Sequence, residues 1–218
     1  MHAARPPSRG DNCRVPEFVP LREQDLDPDP LGQFIAWFEE AGRAGLREPA
    51  AVAVATSTPD GAPSVRMVLL KRYDERGFVF FTNYESRKGG ELEANARAAM
   101  LFYWDPLGRQ VRLEGPVQRT SAEDSAAYIR SRARGSQLSA LASPQSQEVP
   151  DREWLEQRVA ELTERYRDGE PPLPPAWGGY LVTPERYEFW QHRDDRLHDR
   201  LVYTAAQRGG WLIERLAP

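Results

Sequence analysis

Residues 188–200 read Glu-Phe-Trp-Gln-His-Arg-Asp-Asp-Arg-Leu-His-Asp-Arg. This stretch holds two of the chain's three histidines, three arginines and a tryptophan. In an extended segment side chains alternate with period two, which predicts Arg196, His198 and Arg200 on one face. Two guanidinium groups and an imidazole on one face suit an anionic, aromatic ligand held by charge-assisted hydrogen bonds. The same residues also fit a solvated charged turn between two strands.

Other cations recur at spacings that could serve an anion. Arg66-Met67-Val68-Leu69-Leu70-Lys71 sets a cation at each end of an apolar strand, which also describes an edge strand guarded by charge. Phe81-Thr82-Asn83 is followed by Ser86-Arg87-Lys88-Gly89 at a helix start. There, backbone N–H groups and two cations make an anion site, or a solvated basic turn. Gln110 lies on a later strand, and Gln145-Ser146 in a polar loop. Tyr128 and Arg132 are four apart on a helix and share a face, with Ser136 just past Gly135. A half-buried ring with a wet hydroxyl is the plain reading of Tyr128. No glycine-rich Rossmann or P-loop pattern occurs, so side chains must hold any nucleotide.

The elements that position these residues follow from periodicity. Leu31, Phe34, Ile35 and Phe38 predict an amphipathic helix over 31–44, started by Asp27-Pro28-Asp29-Pro30 and closed by Gly45. The period then changes. Strands are expected over 51–56, 65–71, 78–83, 98–104 and 109–119, with a tight turn at Pro59-Asp60-Gly61. Helices are expected over 88–97, from the capping box Thr120-Ser121-Ala122-Glu123 to about Arg132, and over 151–167. The last has Trp154, Leu155, Val159, Leu162 and Tyr166 along one face. Strands near 179–190, 200–204 and 211–215 finish the chain, the last two joined through Gly209-Gly210. Closely spaced strands with short turns predict an antiparallel barrel, mainly β with flanking helices, not a βαβ sheet. Residues 1–20, rich in proline, are expected to be flexible, and 21–218 to form a single domain.

Composition narrows the class further. The chain has 218 residues, 40% hydrophobic and 28% charged, enough for one sizeable core. A net charge of −4 argues against a dedicated nucleic-acid binder. No apolar run approaches the roughly 20 residues that span a bilayer, and no apolar leader precedes the first helix, so a cytoplasmic protein is expected. The single cysteine, Cys13, excludes an intrachain disulfide, and one cysteine with three histidines leaves a zinc site unexpected.

Glu188-Phe189-Trp190-Gln191, four residues, then Arg196-Leu197-His198-Asp199-Arg200 resembles the C-terminal motif of the pyridoxamine/pyridoxine 5′-phosphate oxidases. The resemblance extends from about Leu21 to the chain end. It implies an FMN-binding split β-barrel homodimer with FMN at the subunit interface. It also implies oxidation of pyridoxamine and pyridoxine 5′-phosphates to pyridoxal 5′-phosphate, with O2 as acceptor. Carried over, Arg66, Met67, Val68, Leu69, Leu70, Lys71, Phe81, Thr82, Arg87, Lys88, Gln110, Trp190 and Arg200 would contact FMN, and Gln145 and Ser146 would do so from the partner chain. Lys71, Tyr128, Arg132 and Ser136 would hold the substrate phosphate, with Arg196 and His198 over the ring as the catalytic pair. Many relatives carry an N-terminal Arg/Tyr pair; no tyrosine precedes Tyr73 here. Two other functions fit the same resemblance. One is a related flavin oxidase of phenazine type; the other is a non-catalytic FMN- or pyridoxal phosphate-binding protein.

Overall fold

The computed structural model describes residues 19–206 and 209–218. Cys13 and most of the segment expected to be flexible, with its arginines, lie outside the described residues.

Helix α1 (Pro30–Arg43) starts where predicted. The Asp29 carboxylate accepts from the Leu31 amide, and Pro30 occupies the first helical position, where its missing N–H costs nothing. Gly45 follows with φ +73°, the left-handed conformation that ends the helix. The buried stripe of α1 is Phe34, Trp37 and Ala41. Phe34 meets Phe78 edge-on at 4.8 Å and Phe102 at 5.2 Å, and Trp37 meets Phe189 edge-on at 5.2 Å. The helix thus plugs the open side of a curled sheet.

That sheet is antiparallel throughout. Its strands are β1 (Ala51–Ser57), β2 (Pro63–Leu69), β3 (Arg72–Asp74), β4 (Gly77–Asn83), β5 (Arg97–Trp104), β6 (Arg109–Arg119), β7 (Trp177–Val182), β8 (Arg186–Gln191), β9 (Asp199–Ala205) and β10 (Trp211–Arg215). The main path runs β10-β9-β8-β6-β5-β1-β2, and a second limb joins β3, β4 and β7 to the far half of β6. Residues 109–114 of β6 pair with β8, whereas 117–119 pair with β7. The switch falls at Gly115, where an added Cβ would lie 2.0 Å from the Thr183 carbonyl oxygen, so only glycine fits. A split barrel results. Val52, Val54, Met100, Phe102 and Leu113 point inward by alternation, and Phe189 and Tyr203 join them from β8 and β9, where three consecutive residues are buried.

The opposite face of the sheet is unequal along its length. Across β2, β1 and β5 it is apolar and open, with Val65, Met67 and Tyr103 all more than half exposed. Across β6 and β8 it carries ion pairs, Arg112–Glu188 at 2.9 Å and Arg186–Glu114 at 3.3 Å. Met67, Ala53, Leu101, Arg112 and Glu188 form one transverse row. At ~4.8 Å per step, β2 and β8 lie about 19 Å apart along the sheet.

Several expected boundaries move. The single strand over 179–190 is two, because Thr183 bonds back to Pro116 while Glu185 bonds to Glu114, on either side of the β6 switch. Helix α2 (Arg87–Ala94) stops three residues early, and Arg97 begins β5. Helix α3 (Ala122–Ser131) is capped by Ser121, which accepts from Asp124 N at 2.9 Å, one register later than the Thr120/Glu123 pairing. Helix α4 (Arg134–Ala142) was not anticipated across Gly135; burial of Leu138 and Ala142 carries it. Helix α5 (Arg152–Arg165) forms as expected, but its apolar stripe is only half-buried.

Candidate active site

The end of β2, the middle of β4, the start of α2, the end of α3 and the loop after α4 converge on a cleft of about 260 Å³. It collects ten of the residues singled out above: Met67, Val68, Leu69 and Lys71 from the β2 side; Phe81, Thr82 and Lys88; and Tyr128, Arg132 and Gln145. Leu70, between these, turns into the core.

Lys88 is the electrostatic centre of the cleft. It is only 7% exposed, and its ammonium donates to Gln145 Oε1 at 2.9 Å, Thr82 Oγ1 at 3.0 Å and Ser86 Oγ at 3.3 Å. All three acceptors are neutral, and among the described residues no carboxylate forms an ion pair with it. Burial, with a smaller contribution from the Arg66 charge, pulls its pKa down from the usual lysine range to about 8. A buried cation surrounded by neutral acceptors is stabilised by any anion that enters. Gln145 reaches Lys88 and Thr82 within its own chain, because the turn after α4 brings residues 143–147 back over β4.

One wall of the cleft is aromatic. Phe81 and Tyr128 stack at 3.9 Å, and Tyr128 and Trp177 lie parallel at 5.7 Å. The Arg132 guanidinium sits 5.4 Å over Trp177. Periodicity missed Trp177, which follows a proline-rich connector. The available signal was the Gly-Gly after it: a Cβ on Gly178 would meet Tyr84 Oη at 2.1 Å, and one on Gly179 would meet Phe81 Cε1 at 2.8 Å. Ser136 lies in the first turn of α4, half-buried, and does not line the cleft. Ser146 is exposed with φ +70°.

Arg66 and Arg87 stand behind the cleft, not in its lining. Both are tied to Glu91 on α2, at 3.3 Å and 2.9 Å. Sequence reasoning did not single out Glu91.

The remaining residues form a second group on the charged end of the sheet. Gln110, Trp190 and Arg200 are cross-strand neighbours on β6, β8 and β9. Arg200 Nε donates to Glu188 Oε1 at 2.8 Å, and Arg200 Nη1 to the Ala217 carbonyl at 2.9 Å. The expectation that Arg196, His198 and Arg200 share one face of an extended segment is wrong. Gln191 pairs with Asp199, so residues 192–198 form the hairpin loop, and Asp195 and Arg196 both take left-handed φ, +55° and +62°. Arg196 is exposed there. His198 packs at 4.6 Å from Trp190, and its Nδ1 accepts from the Arg193 amide at 3.1 Å. Burial, then the neighbouring His192 and Arg196, lowers its pKa. A ring whose Nδ1 accepts carries its proton on Nε2 when neutral. No group of three or more potential metal ligands occurs among the described residues.

The fold and site define a class of antiparallel split-barrel proteins with a cationic, aromatic-walled cleft beside β2 and β4 and a Trp–His–Arg group at β8 and β9. Residues 38–166 match the family described as pyridoxamine 5′-phosphate oxidase, and residues 177–218 match a pyridoxine 5′-phosphate oxidase C-terminal dimerisation region. A pyridoxine/pyridoxamine 5′-phosphate oxidase of Rubrobacter xylanophilus is 60% identical over 198 residues, covering 91% of each chain. The crystal structure of PhzG from Burkholderia lata 383, in complex with tetrahydrophenazine-1-carboxylic acid, superposes with a TM-score of 0.84 at 34% identity, covering 89% of this chain and 95% of that one. A pyridoxamine 5′-phosphate oxidase-related, FMN-binding protein from Nostoc punctiforme shares the fold at 19% identity, with a TM-score of 0.67 over 88% of this chain and all of that one. The chain belongs to the pyridoxine/pyridoxamine 5′-phosphate oxidase family.

Proposed function

We propose that this protein is an FMN-dependent oxidase that converts pyridoxamine and pyridoxine 5′-phosphates to pyridoxal 5′-phosphate with O2 as acceptor, acting as a cytoplasmic homodimer built from residues 21–218. The observation that carries this reading is the Lys88 ammonium, buried among neutral acceptors beside Lys71 and Arg132. The residues fit a phosphorylated flavin. Lys88, Thr82 and Gln145, with Arg66 and Arg87 behind them, supply cations and donors for its phosphate. Met67, Val68, Leu69 and Leu70 offer strand backbone to its ring edge, and Ser146 extends the polar rim. When bound, FMN supplies the two-electron acceptor that the side chains lack.

The chain's own residues bind, orient and exclude water. Lys71, Tyr128 and Arg132, with Ser136 on the adjoining helix, hold the substrate phosphate. The Phe81–Tyr128–Trp177 stack keeps that corner rigid. His198, held neutral, presents Nε2–H as a donor beside Trp190, and Arg196 supplies a cation that the loop leaves exposed. These two orient the substrate ring, and their contribution is chiefly geometric.

Gln110, Trp190, Arg200, Arg196 and His198 lie across the sheet from the cleft. The open apolar face of β1, β2 and β5 lies between the two groups. Packing that face against a second copy covers Val65 and Met67 and sets the turn group of one subunit over the cleft of the other. The match of residues 177–218 to a dimerisation region supports a homodimer.

Oxygen uptake by purified protein tests the reading, with pyridoxine phosphate, pyridoxamine phosphate and their unphosphorylated forms as substrates. The expected result is yellow, dimeric protein releasing about one FMN per chain, with turnover of the phosphorylated forms. Colourless protein that gains no absorbance from added FMN, or flavoprotein inert to every vitamer, overturns it.

A further inference from the structure

Glu91 is a buried carboxylate on the inner face of α2, 5% exposed, with four side-chain partners. Its Oε2 accepts from Thr56 Oγ1 and Ser64 Oγ, each at 2.5 Å, and lies 3.3 Å from Arg66 Nη2. Its Oε1 accepts from Arg87 Nε at 2.9 Å. Burial opposes its charge, but the Ser64 and Thr56 hydroxyls and the two guanidinium groups outweigh that and draw the carboxyl down to about 2. Glu91 is therefore ionised at any working pH.

The two arginines it holds are used differently. Arg66 is turned inward. Its Nη1 donates to Thr56 Oγ1 at 2.6 Å and the Val54 carbonyl at 3.2 Å, and its Nη2 to Ser64. Arg87 is held by one edge only. Its side chain is 62% exposed, Glu91 takes Nε, and neither Nη makes a hydrogen bond within the described residues. A guanidinium is planar, so fixing its Nε edge fixes the direction of its Nη pair. That pair belongs to the first residue of α2, next to Lys88 and the helix's positive N-terminal end.

We propose that Glu91 is a positioning residue for the cofactor phosphate: it clamps Arg87 by Nε so that the Nη pair is presented beside Lys88, while holding Arg66 inward as a balanced ion pair. This rests on the FMN reading above. A carboxylate so close to an anion site would repel the phosphate if it acted by charge alone. Its two cationic partners cancel that repulsion, so orientation is its net effect.

The test compares FMN with riboflavin, which lacks the phosphate, by flavin fluorescence titration of flavin-stripped full-length protein. Glu91→Gln places an amide donor against a guanidinium donor, and FMN binding is expected to weaken about 10-fold, the size of one charged hydrogen bond, with riboflavin binding unchanged. Arg87→Lys keeps the charge at an exposed position but loses the two-edged geometry, and should show the same loss of FMN preference. The double variant should be no worse than the poorer single one, because both remove one arrangement. Equal weakening of both flavins in Glu91→Gln, or an intact FMN preference in Arg87→Lys, overturns the proposal. Should Glu91→Gln not fold, Arg87→Lys decides alone. Native protein that binds FMN no better than riboflavin overturns the cofactor reading itself.

Discussion

The cleft between β2, β4, α2 and α3 and the loop at residues 192–198 are both cationic, but they are built to different standards. In and behind the cleft, every cation but the exposed Lys71 is braced. Lys88 has three neutral acceptors, Arg132 lies over Trp177, and Arg66 and Arg87 share a carboxylate. In the loop, Arg196 is exposed on a left-handed backbone, while His198 is held by Arg193 N and Trp190. The cleft is preformed within one chain, whereas the loop leaves Arg196 in solvent. On the function proposed above, the preformed cations would set how tightly a phosphate is held, and the exposed arginine would act at the ring.

That division can be broken by experiment. The largest effect should come from the loop. Arg196→Ala is expected to cost about 2–4 kcal/mol in kcat/KM, as loss of a charged contact in a desolvated site does, with FMN content near normal. Normal turnover would remove the loop from the site. Next comes the cleft. Arg132→Ala should raise KM for pyridoxine phosphate roughly 10- to 150-fold, the equivalent of about 1.5–3 kcal/mol, and leave unphosphorylated pyridoxine untouched. Equal loss on both substrates would make Arg132 structural. Tyr128→Phe removes one neutral donor from the same corner and should cost about 1 kcal/mol, read in KM for the phosphorylated substrate.

The smallest effect is a pH dependence specific to the cleft. The pKa of Lys88 is depressed to about 8, so the folded flavin-free protein binds fewer protons there than the unfolded chain between about pH 8 and the usual lysine value. Over that window the stability of the flavin-free protein should rise with pH, because the cost of a buried charge is relieved. FMN affinity should fall over the same window as the ammonium is lost. Titrations at pH 7 and 9.5 check both signs, and a Lys88→Met variant should abolish the difference.

Much of this molecule was legible in its sequence where one period ruled. Helix α1 follows from the spacing of Leu31, Phe34, Ile35 and Phe38, although its buried stripe is turned toward Trp37 and Ala41, and strands β1, β5 and β6 form where they were expected. The cleft was legible too, since Lys71, Thr82, Lys88, Tyr128 and Arg132 were singled out and do meet. Three things were not. The geometry of residues 192–198 depends on the Gln191–Asp199 register, a property of the pair of strands and not of the loop. Helix α4 hides behind Gly135, whose weak propensity is overridden by burial of Leu138. Glu91 looked like one more charge on a short helix, and only folding shows that Thr56 and Ser64, about thirty residues earlier, surround it.

Strand β6 has a consequence in time as well as in space. Its near half needs β8 and its far half needs β7, and both are made roughly sixty residues after β6 itself. At translation speeds of about 5–20 residues per second, the nascent chain carries one edge of its longest strand uncovered for roughly 3–12 s. During that interval β5 and β6 can already form a hairpin, but the hairpin's free edge offers itself to any neighbouring chain. Ribosome-bound chains truncated just before Trp177 should therefore aggregate or recruit a chaperone, and those extended past Ala205 should not.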